Sequence, residues 1–219
     1  MISVSILKRL VVLVVLITFV LFQGLVCAAF DPSKIVVPTE EQESTKARVA
    51  LMYVNNAKAT YDDEINKKMN DNFDTILKQY KIIPGQRYVE MLNKIGINDI
   101  TTAERGDIIG VFKGEDIDYV LYVEIQPFVR KERITFFTYG IDITAIVPVK
   151  IIDLKGNKYL YNGKFTEFAR DSSMIGGIGN KSVSLKALDL VIEKMNPVVA
   201  TRLPLTRPEE KPDEKNAVK

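Results

Sequence analysis

Alternating apolar and polar positions in the second half of the chain predict a meander of antiparallel strands. The odd-numbered residues from Phe137 to Ile151 are all apolar, whereas the polar residues between them are even-numbered, with Ile146 and Ile152 as exceptions. A period of two is typical of a strand with one buried face, so we predict a long strand over 134–153. An apolar segment at 117–129 precedes it. A return strand at 158–169 follows the turn Lys155-Gly156-Asn157.

A period of 3.6 residues predicts two long helices, over 62–80 and 183–203. We expect both to cover the odd-numbered face of the long strand. Thr60 is the expected N-cap of the first helix, and its acidic first turn complements the helix dipole and does not indicate a metal site. Pro197 is expected to kink the second helix. The two apolar stripes are Ile65, Met69, Phe73, Ile76, Leu77 and Tyr80, and Leu188, Val191, Ile192, Met195 and Val199.

Shorter elements complete the predicted fold. We expect strands at 48–54 and 81–83, a helix at 87–95 ended by Gly96, and a helix from Thr101 or Thr102 to about Phe112. Because of Pro127 and Pro148, the meander must have an edge, a bulge or a bend at those points. The predicted class is α/β (α+β): a mixed, largely antiparallel sheet with a C-terminal three-strand meander and helices packed on it.

The first 28 residues have the pattern of a secretory signal peptide. Lys8 and Arg9 precede an apolar run from Leu10 to Phe22, and small residues follow, which places the cleavage between Ala28 and Ala29. An uncleaved membrane anchor is the first alternative, since the apolar stretch is long enough to span a bilayer. Lipid on Cys27 is a weaker one, because bulky Val26 stands where a small residue is expected. We predict an exported protein, periplasmic or extracellular, with a possible membrane tether.

The rest of the chain divides into three parts by composition. Residues 29–46 are polar, contain Pro32 and Pro38, and are predicted to form a flexible arm. Residues 47–203 carry all the predicted core elements and form a single globular α/β domain. Residues 204–219 are charged, proline-rich and poor in large apolar groups, so we predict a disordered tail.

Several kinds of chemistry are excluded by composition. There is no His, and the single Cys lies in the signal, so neither a Ser-His-Asp triad nor a zinc site built on His and Cys can form in the exported domain. Without Lys8 and Arg9 the basic residues number 28, equal to the 28 acidic ones, which argues against nucleic-acid binding. We expect no catalytic residues, metal or cofactor. Carboxylate pairs and Ser-Lys chemistry remain open.

Charged and glycine-rich segments have ordinary structural interpretations. The loop 171–181 contains Gly176, Gly177 and Gly179 before a helix, as a phosphate cradle would, but Asn180 interrupts the P-loop pattern and the context is antiparallel. We interpret it as a connector. Asp116, Asp118 and Asp142 are expected to be solvated surface charges. Residues 130–133 are expected to form a charged hairpin turn.

Three stretches resemble a group of bacterial envelope proteins. The group includes the periplasmic domain of the curli secretion channel subunit, CsgG, and the outer-membrane lipoprotein activator of penicillin-binding proteins, LpoB. The stretches are RVALMYVNN at 48–56, IDYVLYV at 117–123 and VKIIDLKGNKYLYNG at 149–163. Ile117 and Val123 depart from the group's Ala and Gly, and its Asp-x-x-Thr-Gly turn is one residue shorter here, with Lys155 before the Gly. The resemblance covers about 46–203 and implies an α/β fold that works by contact. It does not extend to pore formation or an outer-membrane lipid anchor.

We therefore predict an exported, non-enzymatic interaction or assembly module of the cell envelope. It would dock on an envelope machine or on copies of itself, with the arm and the tail supplying reach. The first alternative is a hydrolase of envelope material, which needs two carboxylates converging in a cleft with one raised pKa. The second is a small-ligand binder with a pocket beside the glycine-rich loop.

Overall fold

The computed structural model describes residues 45–174 and 179–208. All of them belong to the second of two compact units, which begins at Ser44. The predicted signal with Ala28 and Ala29, most of the arm, Gly176 and Gly177 of the loop and the end of the tail lie outside the described residues. The elements are β1 (Arg48–Asn55), α1 (Asp62–Ile76), β2 (Lys81–Pro84), α2 (Gln86–Lys94), α3 (Arg105–Val111), β3 (Tyr119–Ile125), β4 (Val129–Ile134), β5 (Tyr139–Asp153), β6 (Lys158–Ser173) and α4 (Asn180–Arg202).

One mixed sheet organises the described residues, and it confirms the predicted fold class. Strand β1 pairs in parallel with β2 and β3, and the other pairings are antiparallel. Strand β5 is paired along its whole length with β6. Its other edge is shared by β3, opposite 149–153, and β4, opposite 139–144. These two strands lie end to end, and the interruption at Pro127 is the break that a missing amide donor requires.

Helices α1 and α4 cover one face of the sheet, as the apolar patterns predict. The first core cluster combines Ile65, Met69 and Phe73 of α1 with Leu188, Val191, Met195 and Val199 of α4 and the odd-numbered residues of β5 from Ile141 to Ile151. Each of these β5 side chains is 2% exposed or less. Phe137, which the alternation also assigns to the core, is 76% exposed, because β5 begins only at Tyr139.

Helices α2 and α3 cover part of the opposite face and form a second core. It contains Tyr88 and Leu92 of α2, Ile108 of α3, Val120 and Tyr122 of β3, and Ile152 of β5. The break in alternation at Ile152 therefore has a physical cause, since this end of β5 is buried on both faces. Within the part of the chain that the structure describes, the region around β1 and β3 has three layers, whereas the outer part of the meander has a helix layer on one face.

Several element boundaries differ from those that the sequence predicts. Helix α1 ends at Ile76, four residues before Tyr80, and its N-cap is Tyr61 instead of Thr60. Helix α3 begins at Arg105 because the amide of Glu104 donates to the carboxylate of Asp107, 3.0 Å away. Helix α4 begins at Asn180 and continues past Pro197. Residues 130–133 belong to β4 and do not form the turn.

Residues at both ends of the described domain pair with each other. The amide of Ala47 donates to the carbonyl of Leu205 over 3.0 Å, and the amide of Arg207 donates to the carbonyl of Thr45 over 3.2 Å. Lys46 and Thr206 form an isolated antiparallel bridge. The structure thus places 45–46 and 204–208, which composition assigns to the arm and the tail, on the folded domain.

Candidate interaction surface

The sheet face formed by β4, β5 and β6, opposite α1 and α4, is uncovered within the described part of the chain. Cross-strand pairing arranges its side chains in rows. One row is Val129, Thr144 and Phe168, and the next is Lys131, Asp142 and Arg170. These rows line a shallow groove of about 440 Å³. We call this surface the open face.

Charge on the open face is organised around Asp142. The guanidinium of Arg170 donates from Nε to Oδ1 of Asp142 over 2.8 Å and from a second nitrogen to Oδ2 over 3.2 Å. This hydrogen bonding lowers the pKa of Asp142, and the charges of Arg133 and Lys131 lower it further. The predicted surface charge at Asp142 is thus one half of an ion pair, on a face where basic residues outnumber acidic ones.

Exposed apolar residues are concentrated in this part of the molecule. Of the eleven large hydrophobic side chains exposed among the described residues, six lie between 129 and 174: Val129, Ile134, Phe136, Phe137, Phe168 and Met174. Single exposed apolar residues are ordinary, but a group of them indicates an interaction site. The sequence pattern does not mark these residues as an interaction site. The available signal was an apolar residue at an even position of the return strand, Phe168 between polar Thr166 and Arg170.

Lys150 is buried, and its ammonium group contacts backbone carbonyls instead of solvent. Its ammonium donates to the carbonyls of Ile100, Thr101 and Ala103 at 2.9, 2.9 and 3.1 Å. Burial lowers the pKa of Lys150, and the charges of Asp99 and Glu124 oppose that effect. With all three protons used, this lysine anchors the segment before α3 to the sheet.

Glu124 is held beside Lys150 by neutral partners. The Tyr122 hydroxyl donates to one of its carboxylate oxygens, and the side-chain amide of Asn56 donates to the other over 2.9 Å. Burial raises the pKa of Tyr122, and the bond to Glu124 raises it further. The side chains of Glu124 and Tyr122 are almost fully buried. This polar cluster therefore supports the second core and offers little accessible surface for chemistry.

Asp116 and Asp118 lie in an ionic cluster at the other end of the sheet. Asp118 is fully buried and accepts from the amide of Arg48 over 3.0 Å, and Arg207 lies 3.2 Å from its carboxylate. Asp116 pairs with both Arg48 and Arg207. The expectation that Asp118 is a solvated surface charge is wrong, because residues 204–208 fold back over it.

An open cleft lies beside the glycine-rich loop. It measures about 280 Å³ and is lined in part by Lys58, Arg130, Asn180 and Ser184. Gly179 precedes α4 in an extended conformation. A hydrogen bond of 2.7 Å from Tyr61 to Ser184 forms part of the wall. The cleft borders the glycine-rich loop, which we interpret as a connector and part of which lies outside the described residues.

Several carboxylates within the described ranges form ion pairs with basic residues. Glu64 pairs with Lys181, which lowers the pKa of Glu64, and Glu167 pairs with Lys194. Among residues 45–174 and 179–208, no group of three or more acidic side chains has the arrangement of a metal site. No helix in these same ranges has the length and hydropathy needed to cross a membrane.

Comparisons with known proteins give matches in structure alone. No family model matches the chain, and no curated protein matches its sequence. Among solved structures, lipoprotein GNA1162 from Neisseria meningitidis aligns at 15% identity over 68% of this chain and 99% of its own, with a TM-score of 0.37. The hypothetical protein CT253 from Chlamydia trachomatis aligns at 12% identity over 71% and 99%, with a TM-score of 0.42.

The LpoB C-terminal domain from Escherichia coli is a further match. It aligns at 10% identity over 56% of this chain and 83% of its own, with a TM-score of 0.30. The group that the sequence resembles is therefore represented among the matched structures, while the likeness to the curli channel subunit stays a prediction. Identities and TM-scores this low carry no argument about function, which must be inferred from the molecule's own surface.

Proposed function

We propose that this protein is an exported, non-enzymatic module of the cell envelope that works by docking, on an envelope machine or on copies of itself. The observation that carries the proposal is the open face, where Val129 and Phe168 are 54% and 58% exposed beside a row of charged residues. A central apolar patch with a polar surround is the arrangement of a protein interface. The predicted export signal supplies the location.

The alternatives receive less support from the geometry. A carboxylate-based hydrolase needs an acid whose pKa is raised, and the shifted carboxyl pKa values of Glu64, Asp116 and Asp142 are all lowered. A small-ligand binder needs an enclosing pocket, whereas the cleft beside Asn180 is open and shallow. The docking proposal accounts for the exposed apolar patch of the open face, which neither alternative explains.

A pull-down from detergent-solubilised envelope, combined with sedimentation analysis of the purified chain, tests the proposal. We compare the parent chain with Phe168→Asp, which places a charge at the centre of the apolar patch. Ile95→Asp is the matched control, since Ile95 is 61% exposed at the end of α2, away from the open face. We expect the parent and the control to retain the same partner, or the same self-association, and Phe168→Asp to lose it. If the parent chain recovers no protein partner and does not self-associate, that result would count heavily against the proposal.

A further inference from the structure

The hairpin between β4 and β5 ends in two adjacent phenylalanines that point away from the protein. Phe136 is 96% exposed and Phe137 is 76% exposed. Their rings pack edge to face, with centroids 5.5 Å apart. Neither ring belongs to either core cluster. The pair is therefore a small convex apolar projection, different in shape from the groove of the open face.

The turn that carries the phenylalanines satisfies several of its own polar groups. The amide of Thr135 donates to the carbonyl of Thr138 over 2.9 Å, and the amide of Thr138 donates to the Thr135 hydroxyl over 3.1 Å. The two threonine hydroxyls also hydrogen-bond to each other over 2.6 Å. Polar groups that are already paired lose little on leaving water, so the turn can enter an apolar medium at a low desolvation cost.

Two more exposed apolar side chains lie at the same end of the sheet. Ile134, the last residue of β4, is 76% exposed, and Met174, one residue beyond β6, is 78% exposed. The pairing of Tyr139 with Ser173 places Met174 at about the level of the turn. We call Ile134, Phe136, Phe137 and Met174 the apolar tip.

Basic residues lie directly behind the apolar tip. From Val129 to Tyr139 the chain has three basic residues, Arg130, Lys131 and Arg133, against one acidic residue, Glu132. Arg130 pairs with Glu132 over 2.7 Å. Lys131 and Arg133 form no salt bridge with any residue in the described ranges, although both lower the pKa of Asp142 by their charge. The hairpin thus combines an apolar end with a positively charged shaft.

We propose that the apolar tip inserts into the interfacial region of an anionic phospholipid bilayer, with Lys131 and Arg133 facing the lipid phosphates. A convex pair of rings fits a protein only where a matching pocket exists, whereas the headgroup and acyl boundary accepts any apolar projection. The positive shaft matches the charge of an anionic leaflet. This inference does not rest on the proposed function, because docking through the open face does not require the tip.

A reporter within the apolar tip tests the proposal in the full chain, because its signal reports on the tip and not on membrane binding by the N-terminal segment. In a chain carrying Cys27→Ser, Ile134→Cys is labelled with an environment-sensitive fluorophore, which leaves both phenylalanines in place. With vesicles of phosphatidylcholine and phosphatidylglycerol we expect a blue shift and quenching by lipids that carry a nitroxide on the acyl chain. With phosphatidylcholine alone we expect a much smaller response.

Matched variants identify the cause of the response. Phe136→Ser with Phe137→Ser, in the same labelled chain, is expected to abolish the shift and the quenching. Lys131→Gln with Arg133→Gln should reduce the response to the anionic vesicles, while Lys113→Gln, at an exposed residue after α3, should leave it unchanged. Circular dichroism checks that each variant is folded.

Three outcomes overturn the proposal. The first is no shift on the anionic vesicles. The second is an equal shift in the chain without the phenylalanines, which assigns the response to the fluorophore. The third is a shift that develops with protein concentration in the absence of vesicles, which makes the tip a contact between copies of this chain.

Discussion

Arg207 lies against Asp118, which is 89 positions earlier in the chain and fully buried, with 3.2 Å between Nε of the guanidinium and the carboxylate. Arg207→Ala removes this cation and leaves the carboxylate with Lys155 at 3.5 Å and the amide of Arg48. We expect a loss of about 1–3 kcal/mol in the free energy of unfolding, because a buried charge is expensive to leave underpaired but this arginine is partly exposed. Urea denaturation measures this change in the free energy of unfolding. Arg202→Ala, at an exposed residue in the last turn of α4, is the control and should change little.

Truncation separates the ordered and the predicted disordered parts of the C-terminal segment. A chain that ends after Pro208 keeps the bridge between Lys46 and Thr206 and both contacts of Arg207, so we expect its urea midpoint to equal that of the full chain. A chain that ends after Leu203 loses them and should unfold at a lower concentration. Equal midpoints for the two truncations would mean that 204–208 contribute nothing to stability.

Adjacent substitutions on β5 test the two faces of the meander. Ile143 is 2% exposed between the sheet and the helices, so Ile143→Asp buries an uncompensated charge and should cost about 3–5 kcal/mol, enough to unfold a marginal domain. Thr144 lies on the open face, and Thr144→Asp should change stability by about 0.5 kcal/mol or less. Thermal unfolding followed by circular dichroism gives both values. Similar losses at the two positions would contradict the assignment of faces.

Lys150 should control the order of the segment before α3. Lys150→Met keeps the length of the side chain but leaves the carbonyls of Ile100, Thr101 and Ala103 without their donor. We expect a loss of about 1–3 kcal/mol and faster amide hydrogen exchange in 99–104. Lys164→Met, at an exposed residue of β6, is the matched control. Unchanged exchange in 99–104 would show that the ammonium does not hold this segment.

Buried tyrosines make the stability of the domain fall at alkaline pH. Burial raises the pKa of Tyr53, Tyr80, Tyr122 and Tyr159 above the ordinary value of 10.0, and it raises the pKa of Tyr119 to about 12. Above pH 10.0 the unfolded chain therefore binds fewer protons than the folded one, and the free energy of unfolding decreases as pH rises.

The tyrosinate absorbance measures this effect directly. At the same pH above 10.0, we expect the folded chain to show fewer ionised tyrosines than the chain unfolded in urea, although both contain the same nine tyrosines. A titration that is the same in the presence and absence of urea would contradict the burial of these hydroxyls.

The amino-acid sequence by itself determined the fold class and most of the elements, because those features depend on local periodicity. The stripe from Ile65 to Tyr80 predicts α1, and the odd-numbered residues of β5 predict which face α1 and α4 bury. The apolar segment 117–129 predicts β3, and Pro127 predicts an edge, a bulge or a bend there. Nothing local indicates that a separate strand, β4, follows, or that β3 and β4 share one edge of β5. The exclusion of His-based and Cys-based chemistry in residues 29–219 also follows from composition alone.

Only the tertiary structure decided which polar residues are buried and which apolar residues are exposed. Asp118 and Lys150 are ordinary charged residues in sequence, and they are buried because segments distant in the chain, 204–208 and 100–103, supply their partners. Phe168 and Phe136 look like core residues by type. They are exposed because no helix of residues 45–174 and 179–208 covers the open face and because the turn extends beyond the sheet. Burial depends on contacts between segments far apart in sequence, and local periodicity does not contain that information.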